Sequence, residues 1–227
     1  MTCVIACSKL WRPNIATLVE SQTGERCILV QTPQELDARV LADLEPRLIF
    51  FPHWSHHISP DMFERWECVI FHMTDLPFGR GGSPLQNLIE RGIYETRITA
   101  LRCYAELDSG PVYMKAPLSL HGSAQEIYLR ATDAIGQMII QIITRTIVPV
   151  PQVGEPVVFR RRKREDGNVE KLTSLQQLHD WIRMLDADGY PPAYLELGAW
   201  RFEFSRSSLR GDDIVADVRI CRRSNDY

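Results

Sequence analysis

His72 and Asp108 are the two side chains of this sequence whose types and setting could carry proton-transfer chemistry. His72 ends an apolar stretch that begins at Val69, and Asp108 lies in a Leu-Asp-Ser-Gly-Pro turn. Histidine has an ordinary pKa near ~6.5, so it can give or take a proton near neutral pH, and a carboxylate beside it would orient it. In an open α/β sheet, ligands bind beyond the carboxyl ends of the strands. We therefore expect both side chains in one cleft.

Two loops accompany this pair. A proline- and glycine-rich loop follows His72, and its glycines allow the backbone to approach a ligand closely because they lack a Cβ. A second loop, Pro52-His-Trp-Ser-His-His, follows the apolar stretch 48–51. Three histidines in five residues could suggest a metal, but the sequence supplies no convincing third ligand and partner acid. No metal site is expected.

Alternating apolar runs and helical patterns indicate the elements that must position these loops. Strands are predicted at 2–7, 26–30, 48–51 and 69–71, with helices at 10–20 and 33–44, the second capped by Thr32 with Glu35 three residues later. This alternation predicts an α/β fold with a Rossmann-like, mostly parallel sheet. The first strand is not followed by Gly-x-Gly-x-x-Gly, so a dinucleotide site of the usual kind is not expected.

The second half of the chain changes character after a long helix. A period-two strand at 94–104 and a short strand at 111–115 precede a helix that the capping box Ser123-Ala-Gln-Glu126 opens. The prolines at 149, 151 and 156 mark a boundary, which predicts a catalytic domain at 1–150 and a small domain at 151–227. The small domain is expected to be a C-terminal α+β unit with an antiparallel sheet. Its elements are a helix from Ser174, a hairpin turning at Gly198 and a strand at 214–220.

Composition restricts the partners. The 227 residues, 44% hydrophobic and 24% charged, are typical of a globular protein, and a formal charge of −3 gives no electrostatic reason to expect nucleic acid. Six scattered cysteines without a Cys-x-x-Cys pair indicate reduced thiols and a cytoplasmic location. No apolar run is long enough for a membrane span. An exposed strand is predicted at 157–162, and the basic run 160–164 is interpreted as a solvated strand and turn.

The central block resembles the formyltransferases that use N10-formyltetrahydrofolate. Their strand ending Asn-x-His-Pro-Ser-Leu-Leu-Pro, with a glycine-containing loop and a later Leu-Asp-x-Gly, is matched here by His72-Met-Thr-Asp-Leu-Pro77, the loop 79–82 and Leu107-Asp108-Ser-Gly110. The resemblance covers residues 45–145 well. It implies a transferase with N10-formyltetrahydrofolate as co-substrate, and His72 and Asp108 as catalytic residues.

Within this family the chain looks most like the sugar N-formyltransferases of the pseudaminic-acid type. The stretches around His53 and His72, and the segment 182–192, carry that likeness. It implies formylation of the 4-amino group of a UDP-linked 4-amino-4,6-dideoxy sugar in surface-glycan (O-antigen or lipopolysaccharide) biosynthesis, and a homodimer formed through the C-terminal unit. The alternatives are methionyl-tRNA or a dTDP-amino sugar as acceptor, or a binding protein without catalysis.

One departure from the family motif concerns catalysis. Ile70 stands where the family has an asparagine that helps hold the developing oxyanion, and an isoleucine side chain offers no hydrogen bond. We expect His53 or His56 to supply the missing donor. The resemblance places folate along both loops and the amino sugar near Met73, Thr74 and Asp75. The expected folate contacts are Trp54, Ser55, His57, Leu76, Pro77, Gly79, Arg80, Gly81 and Gly82.

Overall fold

The computed structural model describes residues 2–145 and 147–223. Within these residues the strands are β1 (Thr2–Ala6), β2 (Arg26–Val30), β3 (Leu48–Phe51), β4 (Cys68–His72), β5 (Phe78–Gly81), β6 (Glu95–Arg102), β7 (Val112–Ser119), β8 (Val157–Phe159), β9 (Ala193–Leu197), β10 (Trp200–Arg210) and β11 (Asp213–Arg222). The helices are α1 (Ile15–Thr23), α2 (Ala38–Leu44), α3 (Pro60–Arg65), α4 (Pro84–Glu90), α5 (Ala124–Thr144) and α6 (Leu175–Leu185), with short 3₁₀ turns at Pro33–Leu36 and Arg164–Gly167.

A six-stranded sheet in the order β2-β1-β3-β4-β6-β7 forms the centre of the fold. The first four strands pair in parallel, and β6 runs antiparallel to β4. Strand β3 is apolar and buried along its length, and β1 is so from Cys3 to Ala6, as strands of a parallel sheet covered on both faces should be. The predicted Rossmann-like, mostly parallel sheet is confirmed.

The described residues form two compact units, each assembled from separate stretches of chain. The first comprises Met1–Gly81, Thr96–Leu118 and Tyr128–Val158, and the second Gly82–Glu95, Ser119–Ile127 and Phe159–Tyr227. The sequence analysis divides the chain once, at residue 150. That division stays a prediction.

The second unit contains the predicted small antiparallel sheet, in the order β11-β10-β9. The β9–β10 hairpin turns at Gly198, whose φ of +58° suits a residue without a Cβ. Ser174 accepts a hydrogen bond from the Gln177 N–H and so caps α6, as the sequence predicts. The antiparallel C-terminal unit is therefore confirmed.

Three local predictions were wrong. Helix α1 begins at Ile15, not near residue 10, and ends at Thr23, followed by Gly24 in a left-handed conformation. The single helix expected at 33–44 is a 3₁₀ turn followed by α2, because Asp37, not Thr32, caps the α-helix through the Arg39 N–H. The strand expected to reach Arg162 ends at Phe159.

Candidate active site

His72 is buried at the end of β4 and has an acceptor at each ring nitrogen. Its Nε2 lies 2.7 Å from the carbonyl oxygen of Gly79. Its Nδ1 lies 3.5 Å from Oδ2 of Asp108. A carbonyl oxygen can only accept, so Nε2 carries a hydrogen in this arrangement. The structure thus brings together the two side chains that the sequence singles out, although their catalytic roles remain a prediction.

Asp108 occupies a strained turn between β6 and β7. Its φ is +53°, a left-handed conformation that is uncommon for a residue with a side chain. Its Oδ2 accepts a hydrogen bond of 2.9 Å from the Gly81 N–H, in addition to facing His72. A Cβ built on Gly110 would overlap the carbonyl oxygen of Arg102, so the turn closes only with glycine there. The carboxylate is therefore held by the fold and not by a flexible loop.

The route by which Asp108 reaches His72 differs from the one expected. The expectation relied on strands whose carboxyl ends share one edge, but β6 is antiparallel to β4. Asp108 instead approaches through the turn that follows β6. His72 and Asp108 are close together as predicted, but the argument from the carboxyl ends of parallel strands holds for β4 and not for β6.

The loop after β4 is fixed from within. Thr74 is fully buried and its hydroxyl donates to the same Gly79 carbonyl that His72 contacts, at 3.3 Å. Thr99 on β6 donates to the Thr74 carbonyl at 2.7 Å and accepts from the Leu76 N–H at 3.3 Å. These bonds fix the position of the carbonyl that holds the ring of His72.

The three side chains expected at the amino sugar have different settings. Met73 and Thr74 are buried. Asp75 is exposed and forms an ion pair with Lys115, which also donates to the Leu76 carbonyl. Two of the three therefore build the loop instead of lining an open surface.

Of the remaining residues expected at folate, Leu76 is buried, and Pro77, Arg80, Gly81 and Gly82 are partly buried. Gly79 and Gly81 have φ of +81° and +103°, so this part of the loop requires glycine's conformational freedom. Their roles in folate binding remain predictions.

The histidine loop after β3 is organised around His53. His53 has a φ of +48°, and its Nε2 lies 2.9 Å from the Thr132 hydroxyl on α5. Burial lowers the pKa of His53 from 6.5 to about 4, because the charged ring would lose its hydration. The ring is therefore neutral at pH 7 and can serve as a hydrogen-bond donor or acceptor, not as a charged acid.

The other residues of this loop face different surroundings. The Trp54 ring packs edge-on against Phe51 and His56, and its Nε1 is buried without a hydrogen-bond partner in the described part of the chain. The Ser55 N–H donates to Ser8 Oγ at 3.0 Å. Ser55, His56 and His57 are exposed. The expected oxyanion role of His53 or His56 remains a prediction, since the hydrogen-bond partner of His53 is Thr132 and not a group of the His72 site.

The free energy of unfolding should decrease as the pH is lowered, because of His53. The unfolded chain takes up a proton at this ring near pH 6.5 and the folded chain only near 4, so the unfolded state binds more protons between these values. We expect wild-type protein to lose on the order of 2 kcal/mol more unfolding free energy than His53→Gln between pH 7 and 4.5. Urea unfolding at several pH values measures this difference. Parallel pH dependences of the two proteins would contradict the prediction.

Ile70 lies on β4, two residues before His72, and its side chain contributes packing. It contacts the buried cluster of Leu76, Leu101 and Val112. Its side chain therefore supplies no donor to an oxyanion, as the sequence indicates.

Sequence reasoning missed Gln152 as a polar residue of this site. Its side-chain amide bonds to the carbonyls of Asp108 and Gly110 and to the guanidinium of Arg80. The prolines around it were interpreted only as a boundary between domains. An uncharged amide among prolines and valines is a weak signal, but it is the one that the sequence offers.

Comparison with known proteins decides the family. The sequence family described as "Methionyl-tRNA formyltransferase, C-terminal domain" matches residues 164–221. A solved structure described as methionyl-tRNA formyltransferase from Clostridium thermocellum is 42% identical with a TM-score of 0.95, and the match covers 98% of this chain and 100% of that one. The chain belongs to the methionyl-tRNA formyltransferase family. The expected formyltransferase fold is thereby confirmed.

Curated members of the methionyl-tRNA formyltransferase family are longer. The protein from Microcystis aeruginosa is 27% identical over 135 residues, which is 56% of this chain and 42% of that protein. The chain spans about half the length of the curated relatives that it matches.

The specific expectation of a sugar N-formyltransferase was wrong. The formyltransferase PseJ from Anoxybacillus kamchatkensis, solved with UDP-4,6-dideoxy-4-formamido-L-AltNAc and tetrahydrofolate, is 18% identical with a TM-score of 0.59, over 85% of this chain and 95% of that one. That likeness shows the fold alone. The 42% identity to a protein of the methionyl-tRNA family overturns the expected UDP-amino sugar, the glycan pathway and the expectation against a nucleic-acid partner.

The described residues contain no group of three His, Cys, Asp or Glu side chains arranged to hold a metal ion. In the same residues, no helix combines the length and the apolar character that crossing a membrane requires.

Proposed function

We propose that the protein transfers the formyl group of N10-formyltetrahydrofolate to the α-amino group of methionyl-tRNA. The observation that carries this proposal is the 42% identity, over nearly the whole of both chains, to the Clostridium thermocellum protein of that description. The buried His72–Asp108 pair supports the chemistry. The proposed acceptor also agrees with a cytoplasmic location.

The reaction needs a proton to move as the carbon–nitrogen bonds exchange. The amine attacks the formyl carbon, a new C–N bond forms, and the bond from the formyl carbon to N10 breaks. One proton leaves the amine and one is delivered to N10, so the two transfers balance. We infer that His72 exchanges the Gly79 carbonyl for a substrate atom and relays the proton, while Asp108 orients the ring and stabilises its charged form.

Folate has a suitable surface in the two loops already described. The backbone of β5 carries Gly79 and Gly81 in conformations that leave no side chain in the way of a flat ring. The buried and unpartnered Nε1 of Trp54 is a donor that a polar edge of the pterin could satisfy. We infer that the two loops together hold the co-substrate.

The basic run 160–164 supports a nucleic-acid acceptor. Arg160 forms an ion pair with Asp166, and Arg162 is buried against Glu90 and over the Trp181 ring. These two contacts hold the segment in place. Arg161, Lys163 and Arg164 are exposed, and none of the described ion pairs involves them. Exposed cationic side chains on a fixed segment are suited to contact the phosphates of a nucleic acid.

The reaction itself is the test of this proposal. Purified protein is mixed with N10-formyltetrahydrofolate and methionyl-tRNA, and the formylmethionine released from the tRNA by deacylation is measured. A nucleotide-linked amino sugar serves as the comparison acceptor. Formylation of methionyl-tRNA is the expected result. Formylation of the sugar alone, or of neither acceptor, would contradict the proposed function.

The basic run makes a separate prediction about affinity. Arg161→Ala and Lys163→Ala should each weaken tRNA binding and lower the slope of log Kd against log salt by about 1, since each cation would release about one counterion. Arg39→Ala, which removes an exposed arginine of α2, is the matched control. Filter binding at several salt concentrations gives the slopes. Equal slopes for Arg161→Ala and Arg39→Ala would show that the run does not contact phosphates.

A further inference from the structure

Gln152 forms hydrogen bonds with both ends of its side-chain amide. The NH₂ group donates to the carbonyls of Asp108 and Gly110, at 2.8 and 3.0 Å. The amide oxygen accepts from Nε and Nη2 of Arg80, at 3.2 and 2.9 Å. Carbonyls only accept and a guanidinium only donates, so these partners allow a single orientation of the amide.

The two segments that Gln152 joins are the two that hold His72. Arg80 lies on β5 between Gly79, which contacts Nε2 of His72, and Gly81, which bonds the Asp108 carboxylate. Asp108 itself faces Nδ1. A second tie between the segments, from Arg80 Nη1 to the exposed Glu106, is longer at 3.6 Å. Gln152 is thus the partly buried link between the acceptor at one ring nitrogen and the acceptor at the other.

The strained backbone of Asp108 needs such a link. A non-glycine residue at φ +53° keeps this conformation only when its surroundings hold it there. The Asp108 side chain is held by the Gly81 N–H and its carbonyl by Gln152. Without the amide, the Asp108 carbonyl loses its bond to Gln152, the peptide keeps only the bond from the Ser109 N–H to the Glu106 carbonyl, and the carboxylate is held less firmly.

Gln152 is itself anchored on both sides. Val150 and Val112 exchange two backbone hydrogen bonds of 2.7 and 2.9 Å. The Val157 N–H donates to the Pro77 carbonyl at 3.2 Å. The segment therefore presents the amide from a fixed backbone, as a positioning residue requires.

We propose that Gln152 is a positioning residue of the formyl-transfer site. It connects the Asp108 turn to β5 and so keeps the Asp108 carboxylate and the Gly79 carbonyl in contact with the two ring nitrogens of His72. Misplacing a catalytic group by about 1 Å can cost about 100-fold in rate. The proposal rests on the proposed function for its turnover measurement only.

The test compares Gln152→Ala with Gln152→Glu. Alanine removes every contact of the amide. Glutamate keeps the side-chain length and an oxygen beside Arg80, but it has no donor for the Asp108 and Gly110 carbonyls. We expect kcat to fall about 10- to 100-fold in both variants, with the KM for N10-formyltetrahydrofolate close to wild type in Gln152→Glu. Val153→Ala, at the neighbouring position where the valine is 89% exposed, is the matched control and should keep wild-type kcat.

A second measurement needs neither substrate. Hydrogen exchange at the Gly81 amide reports its bond to the Asp108 carboxylate, and the ¹⁵N signals of the His72 ring report its partners. Both should change in the two Gln152 variants and not in Val153→Ala. Should Gln152→Ala fail to fold, Gln152→Glu, which removes no volume, decides the question. Wild-type exchange at Gly81 together with unchanged ring signals in Gln152→Glu would overturn the proposal. Absence of formyl transfer in the wild-type protein would instead contradict the proposed function.

Discussion

Replacing His72 with alanine is expected to lower kcat for formyl transfer by about 10²- to 10⁴-fold, the usual contribution of a positioned acid–base group. Both ring nitrogens face fixed acceptors, and burial shields them from water that could replace the ring. His72→Gln should be nearly as slow, because its amide can still donate to the Gly79 carbonyl but cannot relay a proton. Initial rates at saturating N10-formyltetrahydrofolate and methionyl-tRNA give the comparison.

The control for this experiment is His121→Ala, which removes an exposed histidine of the second unit and should keep the wild-type rate. Thermal unfolding of each variant separates lost chemistry from lost structure. If His72→Ala retained more than about a tenth of the wild-type kcat, the proton relay would have to be carried by another group.

Replacing Asp108 with asparagine should lower kcat by about 10²- to 10³-fold while leaving the fold intact. Asparagine adopts a left-handed backbone more readily than most residues, so a φ near +53° remains accessible. Its amide oxygen can take the place of Oδ2, which accepts from the Gly81 N–H and also faces Nδ1 of His72, so both contacts keep an oxygen while the negative charge is lost. The variant therefore removes the charge and keeps the turn.

Asp108→Ala provides the contrast, because it loses the charge and also tolerates the backbone conformation less well. It should show a lower unfolding temperature than Asp108→Asn together with a comparable or lower rate. Asp43→Asn, an exposed carboxylate on α2, is the matched control. Equal rates for wild type and Asp108→Asn would show that the carboxylate's charge has no part in catalysis and that its contact with His72 is structural.

Much of the fold could be predicted from sequence because its signals are local. The apolar runs of β1 and β3, the Ser174 cap of α6 and the glycine at the β9–β10 turn each specify their element within a few residues. The start of α1 and the break before α2 could not be predicted in this way. There, several polar residues could cap a helix, and only the tertiary structure selects among them.

The candidate site was partly predictable for a similar reason. His72 ends a strand and Asp108 occupies a glycine turn, which are local features, and the structure places them 3.5 Å apart. The substrate that accepts the formyl group was not predictable from the same motif. Met73 and Thr74, which carried the likeness to the sugar enzymes, are buried and build the loop that holds His72. A motif made of such residues reports how a loop folds and carries little information about what binds beyond it.

Gly110 has a consequence for how the sequences of relatives should be compared. The overlap of any added Cβ with the Arg102 carbonyl makes this glycine a condition for the turn that presents the carboxylate. A relative that keeps the aspartate but carries a larger residue at this position would have the reactive group without the means to aim it. In a collection of diverged sequences, the glycine two positions after the aspartate should therefore separate working catalysts from inactive descendants better than the aspartate does.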